Sequence, residues 1–275
     1  MTKQEFTGGI HFDRTSDYLF RNRVTLPAFA LLGIVKGLLA AVWIAAEIPL
    51  VTFTYPRQGF FYPMLSLVPS GPLVAHPLPG TFVGLDPLLI ATYAVGVVVT
   101  LVTVTLAFAT VAWRTAPETT GWLPPVRRLL WLGTFVTVAI VASVPALVAW
   151  LPVTGRLTST LLTALLAYFL ARLFAAPVSI VRDGRDPLAA IRWSWGVSRK
   201  IPGSWGVSKG VPEIALIIFF VALTQYWLSG LPWFALLGDS TATVVGTAVG
   251  TTVFGSVFAA VMCATYDSVP LPSNQ

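Results

Sequence analysis

Charge is what this sequence has least of. Only 10% of its 275 residues are Asp, Glu, Lys or Arg, while 56% are hydrophobic; a soluble domain carries roughly 25% charged residues. That polar complement cannot coat a globule, so much of the apolar surface must face lipid. A disordered chain and a typical soluble enzyme are excluded. Cysteine is nearly absent too: Cys263 alone permits neither an intramolecular disulfide nor a multi-cysteine metal cluster. Histidine occurs at His11 and His76 only, both outside the long apolar runs, which argues against a Ser–His protease working within the bilayer. No His-Glu-x-x-His stretch, Walker A loop or clustered acidic metal site occurs in the sequence, against a zinc protease, an ATPase or a metal-dependent phosphotransferase. The expectation is a protein that is not an enzyme and needs no cofactor.

What is present is long apolar runs. A helix rises 1.5 Å per residue and the hydrocarbon core is about 30 Å thick, so roughly 20 apolar residues make one crossing. Six runs qualify, at about 26–54, 87–113, 129–151, 158–181, 211–228 and 241–266. They are continuous rather than alternating, which predicts helices and not a barrel. The fold class is therefore all-α: a polytopic bundle of six transmembrane helices forming a single integral membrane domain over 1–275. Asp86 before Pro87, Asp186 before Pro187, and Asp239 with Ser240 supply helix starts. Gly230 and Pro232 mark 229–240 as a turn at the membrane surface. The mixed polar residues before the first run do not read as a cleaved signal.

Lys and Arg set the orientation. The N-terminal tail, the second loop and the fourth loop hold thirteen of the 17 basic residues, which predicts that both termini and these loops are cytoplasmic, in a cytoplasmic (cell) membrane. The loop at 55–86, rich in Pro and Gly, then lies outside. Most tryptophans fall at the predicted edges, where an indole prefers the lipid–water boundary; Trp43 does not.

Three ionisable residues lie within runs: Lys36, Glu47 and Arg172. A charge near the bilayer centre is costly and marks a functional position by default. Lys36 and Glu47 are too far apart along one helix to pair, so each is expected to reach out toward its own end. Arg172 sits about ten residues inside the fourth run and is expected to form a buried polar cluster with Glu213 and Asp267. In the fourth loop Asp186, Pro187, Leu188, Ile191 and Trp195 predict a short interfacial helix between spans four and five. Its basic and aromatic residues, Arg192, Trp195, Arg199 and Lys200, are candidate contacts for anionic lipid or for a protein partner at 182–210. Gly246 and Gly250 form a small-xxx-small pair for helix packing. Nothing in the basic residues points to nucleic acid, because topology accounts for their placement.

Two stretches carry a family likeness. The opening Asp17-Tyr-Leu-Phe-Arg-Asn-Arg-Val-Thr-Leu-Pro27-Ala-Phe resembles that of a group of uncharacterised six-span prokaryotic (archaeal-type) membrane proteins. Arg172-Leu-Phe-Ala-Ala-Pro177-Val-Ser-Ile-Val-Arg-Asp183-Gly184, followed by Pro187-Leu-Ala-Ala-Ile-Arg-Trp-Ser194-Trp195, resembles a segment of the same group and of the membrane domain attached to some glycerophosphoryl diester phosphodiesterases. The Tyr266-Asp267 ending is similar to that domain's last span. In those phosphodiesterases the chemistry belongs to a separate soluble barrel, for which this chain has no counterpart. The likeness thus implies a fold and a membrane scaffold or accessory subunit, without catalytic residues. The competing expectation is a permease subunit working with a separate ATPase.

Overall fold

The computed structural model describes residues 15–21, 23–48, 86–116, 119, 121–149, 168, 169, 171–198 and 239–267. Among these all the regular secondary structure is helical. A short turn of helix at Asp17–Arg21 leads into α1 (Thr25–Ala45); α2 (Pro87–Arg114), α3 (Val126–Ala149), α4 (Ala176–Asp183), α5 (Pro187–Val197) and α6 (Asp239–Asp267) follow. Three segments, Thr25–Ala45, Pro87–Arg114 and Thr243–Asp267, are long and apolar enough to cross a membrane. Their outer faces agree: Leu31, Ile34, Leu38 and Val42 on α1, and Val95, Val98 and Val102 on α2, form exposed apolar stripes at helical spacing. This is a membrane protein.

The predicted second and sixth runs match α2 and α6 closely, because each starts at an identifiable signal. Asp86 accepts a hydrogen bond from the Leu88 amide at 2.8 Å with Pro87 as the first helical residue. The first run is corrected. It was expected to reach residue 54, but α1 ends at Ala45 and Glu47 adopts φ 56°, outside the region that continues a right-handed helix. Apolar composition there extended past the backbone break. Threonines inside α2 turn their hydroxyls onto their own helix: Thr92, Thr100, Thr105 and Thr110 each donate to the carbonyl four residues back, so none is left without a partner in lipid.

α1 and α6 pack antiparallel at close range. Phe29 lies against Gly255, Gly33 against Ala248 and Thr252, and Gly37 against Val244 and Ala248; a Cβ at Gly255 would fall 2.5 Å from Phe29 Cδ1. Gly246 and Gly250, the predicted packing pair, lie about 160° around α6 from Ala248 at 100° per residue, on the side away from α1. Gly246 is buried there. α4 runs parallel to α6, with Phe174 meeting Phe258 at 6.0 Å and Arg182 meeting Asp267 at 2.5 Å. The larger core, including Phe29, Phe108, Leu132, Ile180 and Met262, therefore gathers toward the end where α2 and α6 finish. A smaller one of Ala40, Trp43 and Ile48 closes the other end. Trp43, the tryptophan that departed from the edge pattern, packs against Tyr93 at 4.9 Å and against Gly96.

Candidate functional site

The arginines of the second loop and of the α4–α5 region collect at one end of the bundle, called here the basic end. Arg182 is the hub. Its Nη1 lies 2.5 Å from Asp267 Oδ1, its Nη2 donates to Thr115 Oγ1 at 2.7 Å, and its Nε donates to the Ala112 carbonyl at 2.9 Å. Its guanidinium also covers the Tyr266 ring at 5.3 Å. One side chain thus ties the ends of α2, α4 and α6 together, and its planar fork suits three partners in different directions. The Tyr18 hydroxyl donates to the second Asp267 oxygen, Oδ2, fastening the lead-in turn to α6. Burial, then the hydrogen bond and charge of Asp267, push the Tyr18 phenol up to about 12, so it stays a protonated donor across the neutral range.

A second layer lies beside the first. The Tyr266 hydroxyl donates to Asp183 Oδ1 at 2.5 Å, Asp183 Oδ2 accepts from Arg185 Nε at 2.9 Å, and Arg185 stacks over Trp193 at 4.7 Å. Arg128, from the first turn of α3, donates to the carbonyls of Val181 and Arg182 at 2.8 and 2.7 Å. It thereby satisfies orphan carbonyls at the end of α4, where a cation also complements the dipole. The left-handed Gly184 (φ 69°) follows; a Cβ there would lie 2.9 Å from Arg128 Nε, so glycine serves both the turn and the close approach of the guanidinium.

The turn at Gly184 folds α5 back along α4. Asp186 caps α5 by accepting from the Leu188 and Ala189 amides at 3.0 and 2.9 Å. The helix is as expected. Of its apolar residues at helical spacing, Leu188 is 55% exposed and Ile191 and Trp195 are half-buried, while the buried residues are Ala190 and Ser194. Small residues win because they let α5 approach α4, and the Ser194 hydroxyl donates to the Arg172 carbonyl at 2.9 Å.

The expected Arg172–Glu213–Asp267 cluster is divided. Asp267 takes Arg182 as its basic partner, since Arg182 lies at the same depth and Arg172 ten residues behind it. Arg172 instead donates from Nε and Nη2 to the Tyr168 hydroxyl at 3.2 and 3.0 Å, and from Nη1 to Ser198 Oγ at 3.0 Å. Its guanidinium stacks over Trp195 at 5.0 Å and over Tyr168 at 5.4 Å. Glu213, Arg199 and Lys200 lie outside the described residues, as do residues 158–167 and 170 of the fourth run, all of the fifth, residues 55–85 of the first loop and the 229–238 part of the surface turn. Lys36 is buried at mid-helix in α1 rather than reaching toward an end, because the helix stops at Ala45. Glu47 is exposed just past that end, and Arg192 is exposed on α5.

Tyr18, Thr115, Arg128, Asp183 and Arg182 were not singled out as a site from the sequence. Several lie within the quoted motifs: Tyr18 in the opening stretch, Arg182 and Asp183 in the Arg172–Gly184 segment, Tyr266 and Asp267 in the closing pair. Stretches separated by as many as 249 residues, as Tyr18 and Asp267 are, meet in one cluster. No family model, curated protein or solved structure matches the chain.

Proposed function

We propose that this chain is a six-span protein of the cytoplasmic membrane, with both termini inside, and that it acts without catalysis as a membrane scaffold or accessory subunit. The observation that carries the reading is how the polar groups of the basic end are used. Arg182, Asp267, Tyr18, Thr115, Tyr266, Asp183 and Arg128 bond to one another and to backbone carbonyls across five segments of chain. That arrangement fixes helix ends and supports α5 as a rigid platform. Leu188 and Arg192 stay exposed on the platform, where a partner at the cytoplasmic face would meet them. The likeness of the opening stretch, the 172–195 segment and the closing Tyr266-Asp267 pair to the phosphodiesterase-associated membrane domain supports the same role.

Two measurements test this. Purification in mild detergent, with identification of every retained protein, is expected to recover a partner that is lost when Arg192, Arg199 and Lys200 are all changed to Ala. Identical partner sets sink the docking surface, and a stoichiometric ATPase favours the permease reading instead. Topology is read by adding a cysteine at Ser70 in a Cys263→Ala background. The thiol is expected to react with an impermeant reagent from outside intact cells; labelling only after lysis reverses the orientation.

A further inference from the structure

Arg172 is placed differently from the other arginines at the basic end. Its depth follows from the packing: Phe29 of α1 sits against Gly255 and Phe174 against Phe258. At 1.5 Å per residue, α1 begins at Thr25 level with about residue 258 of α6, and Arg172 lies within roughly 3 Å of that level. A 21-residue helix such as α1 spans about the 30 Å hydrocarbon core, so its first residue marks the core's edge. Arg172 is therefore at the boundary where lipid phosphates lie, while the Arg182 hub is about 15 Å farther out.

Its partners are all neutral. Three N–H groups go to the hydroxyls of Tyr168 and Ser198, and no carboxylate among the described residues pairs with it. A guanidinium has five N–H donors, so two remain, one on each terminal nitrogen. Two oxygens of a phosphate match such a pair. The wall beside it is aromatic: Phe169 stacks on Trp195 at 5.9 Å, and Tyr168 and Phe169 are 39% and 43% exposed, an apolar flank against which acyl chain can lie. By contrast Arg182 and Arg185 each have a carboxylate of this chain.

We propose that Arg172, held by Tyr168, Ser198 and Trp195, binds the phosphate of an anionic phospholipid in the leaflet at the basic end. The proposal rests on the membrane-spanning reading but not on the scaffold role. The test uses the full chain in mild detergent, supplied with phosphatidylglycerol or phosphatidylcholine and read by native mass spectrometry. The wild type is expected to retain phosphatidylglycerol preferentially, and Arg172→Gln to weaken retention about tenfold, the scale of a lost charge-assisted contact, while Arg127→Gln, at an exposed position on the first turn of α3, leaves it unchanged. Glycerol phosphate in solution is not expected to compete; full competition would reassign the site to a free phosphate compound and overturn the lipid. Equal retention by Arg172→Gln with an unchanged elution profile overturns the proposal. A photoactivatable phosphatidylglycerol needs no variant: crosslinks within 168–198 support the site, and crosslinks only elsewhere overturn it. A chain released from membranes by alkaline carbonate fails the membrane reading itself, and the lipid site with it; an embedded chain with no lipid preference fails the lipid site alone.

Discussion

Arg182→Leu is expected to be the most damaging single substitution at the basic end, lowering stability in mixed micelles by about 2 kcal/mol. The side chain of Arg182 is 7% exposed and that of its partner Asp267 29%. Leucine fills similar space but leaves Asp267 with the Tyr18 hydroxyl and without this cation, and leaves the Ala112 carbonyl and Thr115 hydroxyl without this donor. Asp267 keeps access to water, so the loss comes chiefly from the buried Arg182 anchor itself and from the Ala112 carbonyl and Thr115 hydroxyl that lose this donor. Asp267→Asn should cost less, about 1 kcal/mol, since the amide oxygen can still accept from Arg182 while its NH2 donates to the Tyr18 oxygen. The double variant carrying both substitutions should fall short of the sum of the two losses, the mark of direct coupling. Unfolding followed by denaturing detergent or by thermal midpoint provides the reading, and a wild-type Arg182→Leu would remove the hub.

The second large effect is steric. Gly33→Leu is expected to destabilise the protein by at least about 2 kcal/mol, because a Cβ at Gly33 would collide with the Ala248 carbonyl oxygen and would come within 2.5 Å of Thr252 Oγ1. Backbone is the obstacle, so no rotamer change relieves it; α1 and α6 must separate, opening the contacts of Phe29 and Gly255 as well. Gly133→Leu is the matched control. A Cβ there meets only Thr105 Cγ2, at 3.9 Å, and a loss below about 1 kcal/mol is expected for a substitution that neither overpacks nor uncovers a polar group. If both variants lose equally, the close approach of α1 and α6 is not what Gly33 provides.

The contrast between these positions shows what could be read without coordinates. Gly246 and Gly250 stood out because their spacing matches a known packing pattern, yet α1 seats against Val244, Ala248, Thr252 and Gly255. Spacing identifies a face of one helix and says nothing about which neighbour it meets. Arg172 drew notice as an ionisable residue inside an apolar run and was expected beside Asp267, whereas its hydrogen bonds go to Tyr168 and Ser198. Sequence distance measures depth along one helix, whereas pairing depends on the relative slide of two. Arg182, one residue past the predicted end of the fourth run, looked like an ordinary flanking charge. Only the parallel alignment of α4 with α6 brings it to Asp267.

The sequence by itself determined that this is a helical membrane protein, where α2 and α6 start and stop, and which residues cap α2 and α5. Each of these follows from local chemistry: apolar content sets the solvent, and a carboxylate ahead of proline sets a helix start. The tertiary structure alone decided where α1 ends, which face of α5 is buried, and how Tyr18, Thr115, Arg128, Arg182 and Asp267 are joined. These depend on contacts between segments far apart in the chain, and a pattern within one segment carries no information about the depth, slide or rotation of another.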